Sequence, residues 1–353
     1  MLLICRGSGR AETRQFGYTI VELMVAITIS LIILTSLVGV FANNSRTRGE
    51  IERANQQTEN GRYALQLIID DLHNAGYLAE FNPTPLATPA AKPNPCDFSV
   101  AGLTSALPLA VQGYDNGAVV PTCLTDVRAG TDILVVRHAS TCAVGSAGCD
   151  ANVAGDAYFQ TSGCNSAAEL ASGNIATYFV LDTNSASFTL HKKDCVTLAN
   201  QYQYRTHIYY VANNDQTGDG IPTLKRAELG IATFNIVALV EGVENLQIEY
   251  GLDTGVPTTG SPAVYTADPD SYNGCAATPP ICVGYWRDTV AAKINVLTRN
   301  TTVTPGYVDS KVYTLGLKAD GTANTVGPFG DAYKRHTSES VVKLNNPSGR
   351  NTP

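Results

Sequence analysis

The chain has 353 residues, an apolar content of 44% and a formal net charge of −7. It has no basic stripe to neutralise phosphates, which argues against a nucleic-acid partner. Its five histidines (His73, His138, His191, His207 and His336) form no H-E-x-x-H pair, and neither a P-loop nor G-x-S-x-G occurs. The sequence therefore points away from catalysis and calls for no cofactor.

Residues 1 to 17 form a short polar leader in which Arg6, Arg10 and Arg14 outweigh Glu12. It has no apolar segment of its own, so it is not a secretory signal by itself. Residues 18 to 42 are almost wholly apolar and free of proline. About twenty such residues suffice to span a bilayer as a helix. Gly39, with Thr35 and Ser36, is the one soft point. The positive leader predicts that this end stays in the cytoplasm and the rest crosses. Glu22 interrupts the apolar run, and a charge at the centre of a span costs about 2.5–3.5 kcal/mol. Such a carboxylate needs a partner.

The helical pattern continues past the membrane edge. Ile51, Ala54, Thr58, Gly61, Leu65, Ile68, Leu72 and Ala75 recur at steps of three and four and mark one helix face over residues 43 to 76. Arg48, Glu52, Arg53, Glu59 and Asp70 lie off that line, and Gly76 suits a C-cap. A helix from Tyr18 to Ala75 would measure roughly 85 Å at 1.5 Å per residue. The stripe can pack on its own domain, and it can also meet other helices.

Residues 77 to 131 are rich in Pro, Ala, Gly and Asn and read as loop. Strand-like runs follow at 131–138, 176–181, 187–192, 206–212, 222–229, 232–242, 243–253 and 289–299, with an edge strand at 311–317 and a last one at 340–345. Residues 140–173 and 254–285 read as further loops, and the tail as loose. His138, His191 and His207 fall in strand-like runs and read as packed or surface residues. The fold class expected is α+β: a long N-terminal helix on a β-rich domain over 77–353.

Cys5 lies in the leader, and the other eight cysteines lie beyond the span. An even number in a translocated region predicts disulfides in an oxidising compartment. Many connectivities are open. The simplest closes local loops, Cys142–Cys149 and Cys275–Cys282, and leaves Cys96–Cys123 and Cys164–Cys195. No C-x-x-C pair or zinc-finger spacing occurs, so no metal site is expected. A weak calcium candidate is Asp215, Thr217 and Asp219, followed by Gly220, which mimic the start of an EF-hand loop. Its twelfth position is Arg226 where a bidentate Glu belongs, and turn chemistry explains the stretch equally well.

RQFGYTIVELMVAI, with its basic leader, Gly17, Tyr18 and Glu22, resembles the class III signal of type IV pilins and type II secretion pseudopilins. Tyr18 and Ile20 stand where that family more often has Phe and Leu. The resemblance implies cleavage after Gly17 by prepilin peptidase and methylation of the new Tyr18 amine. It also implies that Glu22 of one subunit meets the Tyr18 amine of its neighbour in a filament. Downstream, YYVANNDQTGDGIPTLKRAEL, VALVEGVENLQIEYGLDT and VAAKINVLTR resemble the PilW family of minor pilins, through Gly242, Val243, Glu244, Tyr250, Gly251 and the run from Trp286 to Arg299. Residues 77–175 match least. This resemblance implies a priming role at the pilus tip in twitching motility, adhesion and DNA uptake. The implied partners are the major pilin, minor pilins of the PilV and PilX types and a PilY-type adhesin. A GspJ-like pseudopilin of type II secretion shares part of the pattern, and a membrane-anchored periplasmic enzyme is the alternative of another class.

Overall fold

The computed structural model describes residues 17–117, 119–277 and 281–352. Cys5, Arg14 and the other leader residues up to 16 lie outside the described residues. The chain divides into two compact units, residues 1–53 and 54–353.

Helix α1, Ile20–Asn74, begins in the first unit and ends in the second. In the first unit it is long and apolar enough to cross a membrane, and none of its apolar window is buried. In the second unit it turns Ala64, Leu65, Ile68, Leu72 and Ala75 into the core. Gln57 fixes it further up, its Nε2 donating to the carbonyls of Thr298 (2.8 Å) and Lys334 (2.6 Å). Gly61 lies where a Cβ would come within 2.7 Å of Ser338 Oγ. The helix ends at Gly76, whose φ of +70° favours glycine and whose N–H donates to Arg137.

The strands are β1 Val111–Tyr114, β2 Ile133–Ala139, β3 Tyr158–Thr161, β4 Phe179–Asp182, β5 Gln201–Ala212, β6 Thr223–Leu229, β7 Phe234–Glu241, β8 Val243–Leu252, β9 Val264–Thr266, β10 Thr289–Arg299, β11 Tyr313–Leu317, β12 Ala323–Val326 and β13 Arg335–Lys343. The short helices are α2 Val100–Ala106, α3 Ile281–Arg287 and α4 Asn345–Asn351. A seven-stranded sheet has the order β1-β2-β5-β3-β4, with β6 on β5 and β7 on β6. A second sheet runs β13-β10-β8-β9, and β11 pairs with β12 alone. All the strand pairings are antiparallel.

Period-two alternation explains why the large sheet is buried on both faces. On β2, Leu134 and Val136 join the core with α1, while Ile133 and Val135 enter a second cluster. On β5, Tyr209 and Val211 face the first core, and Ile208 and Tyr210 the second. The four-stranded sheet adds Leu246, Ile248, Ile294 and Val296 to the first core, so the end of α1 belongs to a core shared by both sheets.

Several expectations change. The stretch 77–131 holds α2 and β1, 140–173 holds β3, and 254–285 holds β9 and the start of α3. The run 187–192 forms no strand. Gln160 on β3 serves its backbone instead, with Oε1 accepting from Leu190 N at 3.0 Å and Nε2 donating to Leu190 O at 3.4 Å. The last strand begins at Arg335, ahead of the expected residue 340: pairing with β10 extends it over polar residues that apolar alternation does not mark. The tail is not loose: α4 packs Pro347 and Ser348 inside. Asn346 donates to Ala75 O (3.1 Å) and Arg350 to Gly76 O (2.5 Å), so the tail satisfies carbonyls at the end of α1.

The four disulfides are Cys96–Cys123, Cys142–Cys149, Cys164–Cys195 and Cys275–Cys282. The pairing is the loop-local one. Cys164–Cys195 closes a 31-residue span and Cys164 is buried. Replacing both residues by Ala is expected to lower stability by about 3–4 kcal/mol, from the chain entropy returned to the unfolded state. Urea unfolding checks this, and a loss under about 0.5 kcal/mol contradicts it.

Candidate functional site

Gly17 and Tyr18 precede α1, and Tyr18 is 90% exposed. The next residues build the start of the helix. Thr19 N donates to Glu22 Oε2 at 2.9 Å, and Glu22 N donates to Thr19 Oγ1 at 3.2 Å. Thr19 Oγ1 also donates to Glu22 Oε2 at 3.0 Å. This is a reciprocal capping box, in which T-x-x-E satisfies two N–H groups that a helix start leaves without partners. Glu22 therefore has a partner inside its own chain, which the reading of its charge alone missed. The Thr19–Glu22 spacing carried the signal.

Beyond Glu22 the side chains of the first unit stand exposed: Ile20, Leu23, Ile27, Leu31 and Phe41 are all more than half accessible. Thr28, Thr35 and Ser36 hold their hydroxyls on carbonyls three or four residues back, so they add no unpaired polar group to the apolar surface.

The stripe expected to serve assembly divides in two. Ile51, Ala54 and Thr58 are exposed. Gly61, Leu65, Ile68, Leu72 and Ala75 are buried in the subunit's own core. The second set cannot also face another subunit, because uncovering each large side chain would forfeit about 1.5–3 kcal/mol. Of the stripe, only Ile51, Ala54 and Thr58 remain open to a partner.

The calcium candidate is closed by its own turn. Asp219 Oδ1 accepts from Asp215 N (3.2 Å) and Ile221 N (2.9 Å), and Oδ2 from Gln216 N (2.8 Å). Lys225 Nζ donates to Asp215 O at 2.9 Å, bringing a cation to the loop. Arg226 leaves the loop and binds Glu228 and Tyr209. Turn chemistry accounts for these residues.

One buried cluster escaped the sequence reading. Asp71 lies on the core face of α1, with Oδ1 2.8 Å from His138 Nε2 of β2 and Oδ2 2.8 Å from His207 Nδ1 of β5. Burial alone would raise the Asp71 pKa. The hydrogen bonds and charge of the two histidines outweigh it and hold the carboxyl well below the usual carboxylate range. Asp71 falls one residue before Leu72, within the apolar stripe, and a carboxylate there was the legible signal.

The comparisons bear on both ends of the chain. Residues 13–38 match the prokaryotic N-terminal methylation motif, and residues 208–346 match the type IV pilus-assembly protein W model, PilW. The chain carries a prepilin-type methylation motif and a PilW domain. A type IV-like pilin from Thermus thermophilus is similar at 11% identity, over 83% of this chain and 96% of that chain, with a TM-score of 0.32, too low to carry an argument. No curated protein matches.

The PilW match runs from within β5 into α4, and its marked residues do structural work there. Gly242 has φ +78°, and a Cβ would lie 2.6 Å from Arg299 O. Glu244 is buried against Arg335 (2.5 Å) and Arg128 (3.0 Å). Tyr250 meets Trp286 edge to face at 4.6 Å, and the Trp286 indole N–H donates to Asp270 at 2.7 Å. Asp270 also pairs with Lys92. Through it the PilW domain ties down a stretch that the family model does not cover.

Proposed function

We propose that this chain is a minor pilin that initiates type IV pilus assembly by helix–helix contact. It waits in the inner membrane with its β-rich domain in the periplasm. Prepilin peptidase cuts after Gly17 and methylates Tyr18. The exposed helix then joins those of other minor pilins, of the PilV and PilX types, and of the major pilin. The resulting complex stays near the tip, beside a PilY-type adhesin. The observation that carries this reading is the capped, exposed apolar start of α1 within the methylation motif. Such a surface is stable only in lipid or against other apolar helices. In the filament, the Tyr18 ammonium of one subunit and Glu22 of the next neutralise each other. The contact surface is Tyr18, Glu22 and the open part of the stripe, Ile51, Ala54 and Thr58.

Deletion of the chain, scored for surface pili and for secreted enzymes, tests the proposal. Loss of pili with normal secretion is the expected result. Normal pili with failed secretion would move the chain to a GspJ-like role in type II secretion.

A further inference from the structure

We propose that Asp71, His138 and His207 form a transition-metal site that binds Zn²⁺ and fastens the end of α1 to the seven-stranded sheet. The three side chains come from α1, β2 and β5, and all are buried. One ligand atom from each lies within 4.8 Å of the others. Two imidazoles and one carboxylate are a donor set that suits zinc and leaves a coordination position for water.

The hydrogen-bond geometry of His138 points to a cation. Its Nδ1 lies 2.9 Å from Ala139 O, a carbonyl that can only accept, so Nδ1 carries a hydrogen. A neutral ring then has a bare lone pair on Nε2, and that lone pair faces Asp71 Oδ1 at 2.8 Å. Two electron-rich atoms at this distance repel unless a proton or a metal ion lies between them. The bond to Ala139 is also the contact that fixes a metal-ligating histidine in the correct tautomer. With zinc–ligand bonds of about 2.0–2.1 Å, tetrahedral donors stand about 3.3 Å apart. To reach that spacing the two 2.8 Å contacts, which use different Asp71 oxygens, would open by about half an ångström and the widest pair, within 4.8 Å, would draw in.

A way in exists. His207 lines a surface cavity of about 350 Å³ with Asp150, Gln203, Arg205, Arg226 and Glu228. The Arg226 charge there is matched by Glu228 at 2.5 Å. Metal bound to the native chain adds its binding free energy to folding. It would also join the helix that assembles to the domain that follows.

The test uses the full chain in detergent, without a histidine tag and with Cys5→Ser so that no free thiol competes. It is equilibrated with micromolar Zn²⁺, dialysed, and its zinc measured by mass spectrometry. One zinc per chain is expected, with affinity reduced more than about tenfold in His138→Gln and in His207→Gln. His191→Gln, whose ring pairs with Glu169 at 2.8 Å in another part of the domain, is expected to keep its zinc. A chelator should lower the melting temperature of the wild-type chain and leave that of His207→Gln unchanged. Should the variants fail to fold, Co²⁺ added to the wild-type chain decides: visible bands of a low-coordinate nitrogen–oxygen site support the proposal. A wild-type chain that retains no zinc and gives no such bands overturns it, and the contact is then a proton-held ion pair. Zinc retained equally by His138→Gln and His207→Gln overturns it as well.

Discussion

Glu22→Gln is expected to leave cleavage and membrane insertion intact and to reduce surface pili at least tenfold. The two roles of Glu22 differ in what they need. As the last residue of a capping box, it needs only a side-chain oxygen within reach of Thr19 N, and Gln supplies one. As the partner of a neighbouring ammonium, it needs a charge, and Gln supplies none. A cap contributes about 1 kcal/mol. A unit charge pair at 4 Å is worth about 4 kcal/mol at an effective dielectric constant of 20, and more in lipid. If the charge pair governs assembly, Glu22→Gln and Glu22→Ala fail alike. If capping governs it, Glu22→Gln makes normal pili and only Glu22→Ala fails. Counting pili by electron microscopy, with immunoblots for cleavage, separates the two, and normal pili with Gln would contradict the pairing mechanism.

The second large effect lies in the domain. Arg335→Ala is expected to destabilise the folded chain by about 3–5 kcal/mol. The Arg335 side chain is fully buried. It donates to Glu244 at 2.5 Å, Asp309 at 2.8 Å and Asp331 at 2.6 Å, and its guanidinium lies 3.7 Å from the Phe329 ring centre. Removal leaves Glu244 with Arg128 as its cation and leaves the buried Asp309 with no cation, held only by the hydroxyls of Tyr307 and Tyr313 and the Lys311 N–H. Whole domains are stable by about 5–15 kcal/mol, so the loss is a large share. The ion pairs as such need not stabilise. Breaking one side of a buried set costs far more than replacing both sides. Hence Arg335→Met combined with Glu244→Gln is expected to cost less than Arg335→Ala alone. Urea unfolding of the purified chains checks both, and an Arg335→Ala loss below about 1 kcal/mol contradicts the stated role.

Legibility in the sequence followed the strength of the local signal. The long helix, the runs that became β2, β5, β6, β7, β8 and β10, and the loop-local cysteine pairs were readable because apolar periodicity and short spacing act locally. The short elements α2, β1, β3 and β9 were not, because they sit in Pro- and Gly-rich stretches and are held by tertiary contacts. Lys92 is an example: it lies in a stretch read as loop, yet it pairs with Asp270 and stands over the Tyr114 ring at 4.2 Å. The first half of β13 hid because an edge strand carries polar side chains such as His336, Thr337 and Glu339. The run 187–192 misled in the other direction. Phe188 and Leu190 are buried with Thr189 exposed between them, as in a strand, but Gln160 supplies hydrogen bonds that a neighbouring strand would.

The site was legible at its start and obscure further on. Gly17, Tyr18 and Glu22 form a contiguous motif. The division of the stripe at Gly61 is set by where the two sheets meet the helix, and no local pattern records that. Asp71, His138 and His207 are separated by 67 and 69 positions, and only the packing of α1 on β2 and β5 unites them.

The most direct measurement is the intact mass of this chain recovered from sheared, purified pili. The expected mass is that of residues 18–353 with four disulfides and one N-terminal methyl group on Tyr18. A chain that keeps residues 1–17 in cells with active prepilin peptidase, or that never enters pili, would contradict the assignment.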